Sequence, residues 1–338
     1  MMGSHVLGID LGGTKVSAGV LDASGTIVGR ARAKTKAWKD NDEVFRRIVT
    51  VARRALRNAG VDSGQLAAIG IGSPGPLDPD TGYIIESANL NFNNFPLGPK
   101  LSEEFGCQVL VTNDVDAGTY GEFRAGAARG ASDVLGVFVG TGIGGGIIAN
   151  GALYHGFSKN AGEIGHIVIK AGGPKCNCGA RGCLEALASR TAMARDIKRA
   201  IKRGRKTMLA DLTDQKIDSI PSSAIKEAFE AGDKLTTKIV LRAAYYTGIA
   251  IGSMINLLGP EVIVLGGGVI EAIGDPFIAR VEKAARGVAF KYAMKDVRLA
   301  KAELGDDAGI VGAAMLAIER ASRVPRAEAV TEQASSAD

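Results

Sequence analysis

Apolar residues in this chain come in two alternating rhythms: short unbroken runs bounded by glycine-rich turns, and longer stretches in which they return every three or four positions. Residues 6–9 form the first run. The turn at 11–15, the run at 16–21 and a second turn at 22–25 then predict strand, turn, strand, turn, strand over residues 6–33. From 41 to 59 the period changes, and Phe45, Ile48, Ala52, Ala55, Leu56 and Ala59 fall on one helical face. Asp40 with Glu43 has the spacing of a capping box, and Gly60 suits the position just past the helix. Residues 66–71 read as a buried strand ending in a rigid Gly/Pro loop at 72–76, and 89–95 as a polar and aromatic loop that lines a cleft. A strand at 109–112 places Asn113 and Asp114 at its carboxyl end, ahead of a helix at about 115–125. Ligands of open α/β sheets bind at such strand ends.

From residue 134 the opening pattern returns. Val134-Leu-Gly-Val-Phe-Val-Gly140 repeats the spacing of Val6-Leu-Gly-Ile-Asp-Leu-Gly12, followed by a Gly-rich turn at 141–146, a strand at 147–149 and a hairpin turn at 150–151. The repeat predicts two similar halves facing one cleft. A helix at 185–203, a polar loop or insertion at 204–221 and helices at 223–231 and 234–258 come next. The last of these is apolar almost all round, as a buried spine should be. A strand at 261–265 runs into a third glycine loop at 266–269, helices near 275–287 and 307–320 close the fold, and 325–338 lacks periodicity and is expected to be disordered.

Two glycine motifs fail their context tests. Residues 8–15 miss the P-loop pattern because Thr14 stands where lysine is required, and residues 140–145 fit the dinucleotide fingerprint but lead into a strand, not a helix. What remains is anion binding by backbone N–H groups at Gly12 and Gly13, helped by the Thr14 hydroxyl and the Lys15 charge.

Three of the four cysteines, Cys176, Cys178 and Cys183, fall within eight residues, and His166 lies ten positions before the first. Thiolates plus imidazole suit a tetrahedral Zn2+ with no open position, which is a structural site. A strained Cys-x-Cys disulfide and free thiols are the competing readings. Glu163 and Glu185 bracket the cluster, either as solvated loop acids or as groups that grip a ligand. Asp114 likewise has two readings, a helix cap and a general base.

Composition adds bounds rather than direction. The 338 residues suit two domains or one bilobal unit, and 46% hydrophobic with 23% charged residues is ordinary for a soluble protein. Glycine, at 46 residues, is enriched, and clusters where backbone would approach a ligand. The net charge of +5 is concentrated at 195–206, on a helix with Met193, Ile197 and Ile201 at core spacing, so a solvated face is favoured over nucleic-acid binding. The apolar region at 247–270 is broken by Asn256, Gly259, Pro260 and Glu261, and no membrane span or export signal is seen. A cytoplasmic protein is expected, as a homodimer or homotetramer.

Asp10-Leu-Gly-Gly-Thr-Lys15, Gly140-Thr-Gly-Ile-Gly-Gly-Gly146, Leu265-Gly-Gly-Gly268 and, above all, Glu163-Ile-Gly-His166 with Cys176-Asn-Cys-Gly-Ala-Arg-Gly-Cys-Leu-Glu185 resemble motifs of the ROK family of sugar kinases and repressors over about residues 6–320. The resemblance implies an α/β, two-lobed, actin-like ATPase fold (a duplicated ribonuclease H-like unit) with a zinc loop at 166–183. One lobe would cover 1–115, joined by the closing helix 307–320, and the other 116–306, with a disordered tail at 321–338. The implied activity is ATP-dependent phosphorylation of a hexose, glucose first, then mannose, fructose, N-acetylglucosamine or N-acetylmannosamine. The resemblance makes Asp114 the base and assigns the sugar to Gly75, Asn89, Asn113, Asp114, Glu163, His166 and Glu185. It assigns ATP and Mg2+ to Asp10, Gly12, Gly13, Thr14, Lys15, Thr141, Gly142, Gly267 and Gly268, and zinc to His166, Cys176, Cys178 and Cys183. Val115-Asp116-Ala-Gly118 departs from the family's usual Ala-Asn-Ala-Ala, and Phe92 stands where tryptophan is common. Polyphosphate stays open as an alternative donor. A regulator would need a helix-turn-helix ahead of a first strand that begins at Val6, and a chaperone-like ATPase would not need the acids around the metal.

Overall fold

The computed structural model of the protein describes residues 4–35, 40–87, 90–210 and 220–323. Its first sheet opens with the antiparallel meander β1 (His5–Leu11), β2 (Lys15–Leu21) and β3 (Ile27–Lys34). α1 (Asn41–Ala59) follows, capped as its sequence requires: the Asp40 side chain accepts the Glu43 N–H, and Gly60 takes the left-handed conformation at φ 66. Its buried face is Val44, Ile48, Val51, Ala52, Ala55 and Leu56; Phe45 and Ala59, expected in the core, sit at its margin. Phe45 there packs its ring against Phe95.

β4 (Leu66–Ser73) runs parallel to β1, and β8 (Gln108–Asn113) runs parallel to β4. Between them β5 (Leu77–Asp78), β6 (Tyr83–Ser87) and β7 (Phe92–Phe95) make a small antiparallel sheet, leading into α2 (Leu97–Phe105). The loop expected at 89–95 is therefore strand from Phe92 onward. Phe92 and Phe95 stack at 4.3 Å inside the core while Asn93 and Asn94 face solvent. Four residues with a polar middle carry no alternation, and only pairing with β6 makes them a strand.

α3 (Asp114–Ala125) leads to the second sheet, where β9 (Val134–Val139), β10 (Ile143–Ala149) and β11 (Ala152–Leu153) repeat the meander. The expected turn at 141–146 is shorter than its glycines imply, because Ile143 already pairs with Val139. Gly144 and Gly146 serve packing instead: a Cβ there would strike Val115 and Thr119 of α3.

The expected helix at 185–203 is two helices, α4 (Leu184–Ala188) and α5 (Arg190–Lys202). Ser189 between them is extended at ψ 162 and its Oγ caps α5 through the Ala192 N–H, which is why the chain breaks there. α6 (Ser222–Glu230) and the spine α7 (Lys234–Leu258) match expectation. β12 (Val262–Gly266) pairs in parallel with β9. A short helix, α8 (Gly268–Ile273), then takes the second half of the expected glycine loop. α9 (Asp275–Arg286) precedes β13 (Arg298–Lys301), an edge strand parallel to β12 that its charged ends conceal in the sequence. α10 (Ala308–Arg323) closes the described chain; residues 211–219 and the expected tail at 325–338 lie outside it.

The two large sheets have the same order, β3-β2-β1-β4-β8 and β11-β10-β9-β12-β13. α10 returns from the second sheet to pack on the first and on α3. Gly312 permits this, since a Cβ there would lie 1.7 Å from the Ala117 carbonyl oxygen. The same junction is pinned by Glu122, a fully buried carboxylate that accepts N–H groups from Ala127 (2.9 Å), Glu303 (3.1 Å) and Leu304 (2.8 Å). Backbone donors satisfy a buried carboxylate without a counter-charge. Among the described residues no helix is long and apolar enough to cross a membrane.

Candidate functional site

Both meanders turn toward one cleft of about 850 Å³, lined by Gly13 and Thr14 from the β1–β2 turn and by Thr141 and Gly142 from the β9–β10 turn. Asn113, Asp114, Glu163, His166, Glu185, Gly75 and Gly267 line it too. The fold thus gathers residues spread over most of the sequence. Asp10, Gly12, Lys15 and Gly268 are not in the lining. The Gly12 N–H is spent on the Lys15 carbonyl at 2.8 Å, closing its turn, and Lys15 reaches Asp306 at 3.0 Å. Asn89 lies outside the described residues.

Asn113, not Asp114, caps α3: its Oδ1 accepts from the N–H groups of Val115 (2.8 Å) and Asp116 (3.3 Å). That removes the competing structural reading of Asp114 and leaves the Asn113 amide N–H2 for a ligand. Asp114, the first helical residue, accepts the Val115 N–H at 3.0 Å through its side chain. Burial pushes its carboxyl up to about 7, with the nearby Asp10 charge adding to the rise and the Val115 N–H opposing it. Burial likewise raises Asp10 to about 6, against the pull of Lys15. No hydrogen-bond donor reaches the Asp10 carboxylate among the described residues. Two carboxylates that resist ionisation beside glycine turns fit a site that takes up a cation and moves a proton.

On the opposite wall, the ligand atoms of His166, Cys176, Cys178 and Cys183 lie within 4.8 Å of one another. Cys178 and Cys183 Sγ are 3.7 Å apart, and Cys176 Sγ is 3.6 Å from His166 Nδ1. A tetrahedral zinc with Zn–S about 2.3 Å and Zn–N about 2.0–2.1 Å has edges of about 3.8 and 3.6 Å, so these two separations match the edges such an ion requires. None of the four cysteines is paired in a disulfide, which disposes of the disulfide reading. Hydrogen bonds from the Cys176 N–H to the Ala180 carbonyl and from the Leu184 N–H to the Ile167 carbonyl shape the loop.

With Nδ1 facing the sulfurs, His166 turns Nε2 toward Glu163, whose Oε2 is 3.9 Å away. Glu163 is raised above its ordinary range by burial, with the His166 charge opposing. Glu185 Oε2 accepts the Ile143 N–H at 3.0 Å, and Oε1 lies 4.0 Å from Cys176 Sγ. It ties the glycine turn of β10 to the cysteine loop.

Four side chains of the site escaped the sequence reading as ligand or positioning groups. His155 lines the cleft with Nδ1 3.4 Å from Asp116, a buried carboxyl raised by its burial. Lys159 reaches across to Asp78 at 2.9 Å. Arg190 donates from Nη2 to Thr141 Oγ1 at 2.5 Å while its N–H bonds the Gly140 carbonyl at 2.9 Å. The only signal for these in the sequence was Asp116, two residues past Asp114 and unusual for the motif; the others depend on contacts between distant segments. Phe92, by contrast, is core and does not face the cleft.

Two sheets of identical order about one cleft, each sending a glycine turn into it, define an actin-like ATPase fold. The chain belongs to the ROK family, whose model matches residues 6–320. It is 36% identical over 311 residues to a glucokinase of Halalkalibacterium halodurans, covering 92% of this chain and 94% of that protein. It is 27% identical over 313 residues to a xylose repressor of Caldicellulosiruptor bescii, covering 93% of this chain and 78% of the repressor. Among solved structures, a ROK family glucokinase from Streptomyces griseus in complex with glucose and AMPPNP matches with a TM-score of 0.80 at 31% identity, over 93% of this chain and 99% of that one.

Proposed function

We propose that the protein is an ATP-dependent hexose kinase and that glucose, phosphorylated at the 6-hydroxyl, is its preferred substrate. The observation that carries this reading is Asp114. It lies in the cleft between two glycine turns, is relieved of capping by Asn113 and has its carboxyl raised to about 7. A sensor of sugars needs no such group; a general base working near neutral pH does.

The sugar is held by the Asn113 amide, Glu163, Glu185, Gly75, Asn89 and the Nε2 face of His166. Its hydroxyl gives its proton to an Asp114 carboxylate oxygen as its oxygen bonds to the γ-phosphorus. The bond from that phosphorus to the β-phosphate bridge breaks, and ADP leaves with the electron pair. Gly13, Thr14, Thr141, Gly142 and Gly267 face the phosphates, with donors placed before the charge develops. Asp10, buried and with no hydrogen-bond donor among the described residues, is the group that would hold Mg2+ through water; the ion would neutralise phosphate oxygens. Zn2+ would sit between His166, Cys176, Cys178 and Cys183 as a structural ion, fixing the ring of His166 toward the sugar.

The test is a coupled ADP-release assay with ATP and Mg2+ across glucose, mannose, fructose, N-acetylglucosamine and N-acetylmannosamine. Glucose should give the highest kcat/KM. Sugar-independent ADP release, or none with any of the five, would overturn the kinase reading; a different best sugar would overturn only the preference.

A further inference from the structure

A second cleft, of about 620 Å³, lies between the outer side of the cysteine loop and the helices α5 and α7, and shares no lining residue with the catalytic one. Six cations line it: Lys170, Lys175 and Arg181 from the loop, Arg195 and Arg199 from α5, and Arg242 from α7. Among the described residues Asp196 is the one carboxylate in the lining. It is already shared three ways, accepting from Arg195 Nε at 3.0 Å and Arg242 Nη2 at 2.5 Å, with Arg199 at 3.8 Å. Arg195 also donates Nη2 to the Ala186 carbonyl at 2.9 Å, anchoring the floor to the helix that carries Glu185. On the facing wall, Lys170, Lys175 and Arg181 are exposed and no carboxylate pairs with them among the described residues.

Like charges converging on a concave surface repel one another and focus a positive potential inside it. The arrangement gains nothing for the fold, because the loop cations could as readily point apart in water. An anion between the walls would offset the repulsion and bridge loop to helices. The concavity decides its class. A nucleic acid would need a basic face continuous along its length, whereas a recess of about 620 Å³, within the roughly 300–1,000 Å³ of small-molecule sites, has room for a compact ligand.

We propose that this cleft binds a compact, multiply charged phosphorylated anion at a site separate from the catalytic cleft. The inference stands apart from the kinase reading, since it rests on none of the residues assigned to sugar or ATP.

Inorganic tripolyphosphate is the probe, titrated calorimetrically into the full chain with AMPPNP and Mg2+ at saturating levels so that the catalytic cleft is occupied. One tripolyphosphate per chain should still bind. Lys170→Glu on the loop wall and Arg199→Glu on α5 should each weaken that binding at least tenfold, while ADP release under standard conditions is unchanged. The two variants lie on opposite walls, so they locate the site even if nucleotide does not bind. No uptake of tripolyphosphate, or wild-type uptake by both variants, overturns the proposal. So does uptake of a long RNA by a protein that ignores tripolyphosphate, which would make the surface a nucleic-acid face.

Discussion

Asp114 is where burial and chemistry meet. Its ordinary value of 3.8 is raised to about 7, and that of Asp10 to about 6, in both cases chiefly by burial. Asp114→Asn should leave sugar and ATP binding intact and cut kcat by about 100- to 10,000-fold, the range for loss of a general base. Retention of more than a tenth of wild-type kcat would count against the assignment. The same shift bears on stability. A carboxyl raised in the folded state favours folding while neutral, so its contribution is complete below about pH 4 and lost as pH rises through about 7. In the absence of ligands, Asp114→Asn should therefore raise Tm at pH 8 and change it little at pH 4. A Tm gain equal at both values would mean that ionisation of Asp114 is not the cause.

Arg190 offers a second test at this scale. A guanidinium only donates, so Thr141 Oγ1 accepts from it, and its own proton is left for another partner at the cleft that Thr141 lines. Arg190→Ala should raise the KM for ATP by about tenfold or more, a hydrogen bond to a charged group being worth about 1.5–3 kcal/mol. On a Thr141→Ala background the same change should do little. Additive losses in that cycle would show that Arg190 does not act through Thr141.

At the scale of elements, the cysteine loop is the part that its own hydrogen bonds cannot hold alone. Cys178 is exposed, Cys176 and Cys183 are buried, and a shared ion would hold the three thiols and the imidazole, whose ligand atoms lie within 4.8 Å of one another. Protein prepared without chelator should carry close to one zinc per chain by metal analysis, and Cys178→Ser should lose both the metal and sugar affinity. Full sugar binding by a zinc-free serine variant would remove the ion from the account. The sequence announced this loop through spacing alone, because its ligands are local. It did not announce the break at Ser189, where an apolar period runs on through a residue that caps the next helix.

The whole molecule is two similar sheets joined through α3 and α10. Asp114 stands at the end of the first sheet and the cysteine loop follows the second, so their approach sets the working site. A sugar touching both should favour a closed arrangement and exclude the water that competes for the phosphate. Small-angle scattering should show compaction on adding glucose. Saturating glucose that binds without changing the radius of gyration, with and without nucleotide, would rule out closure.

Local order was legible in the chain itself: the β1–β2–β3 meander, the capped α1, the apolar spine α7 and the four-ligand spacing follow from periodicity, turn residues and ligand chemistry within short windows. The repeat after residue 134 even disclosed that the meander occurs twice. Tertiary structure decided the rest. Phe92–Phe95 is a strand only because β6 pairs with it, and Asn113 takes the cap that leaves Asp114 free. Arg190 meets Thr141 across 49 residues of chain, and six cations from three segments converge on one cleft. Such relations depend on which segments are brought together, and no window of sequence contains both partners.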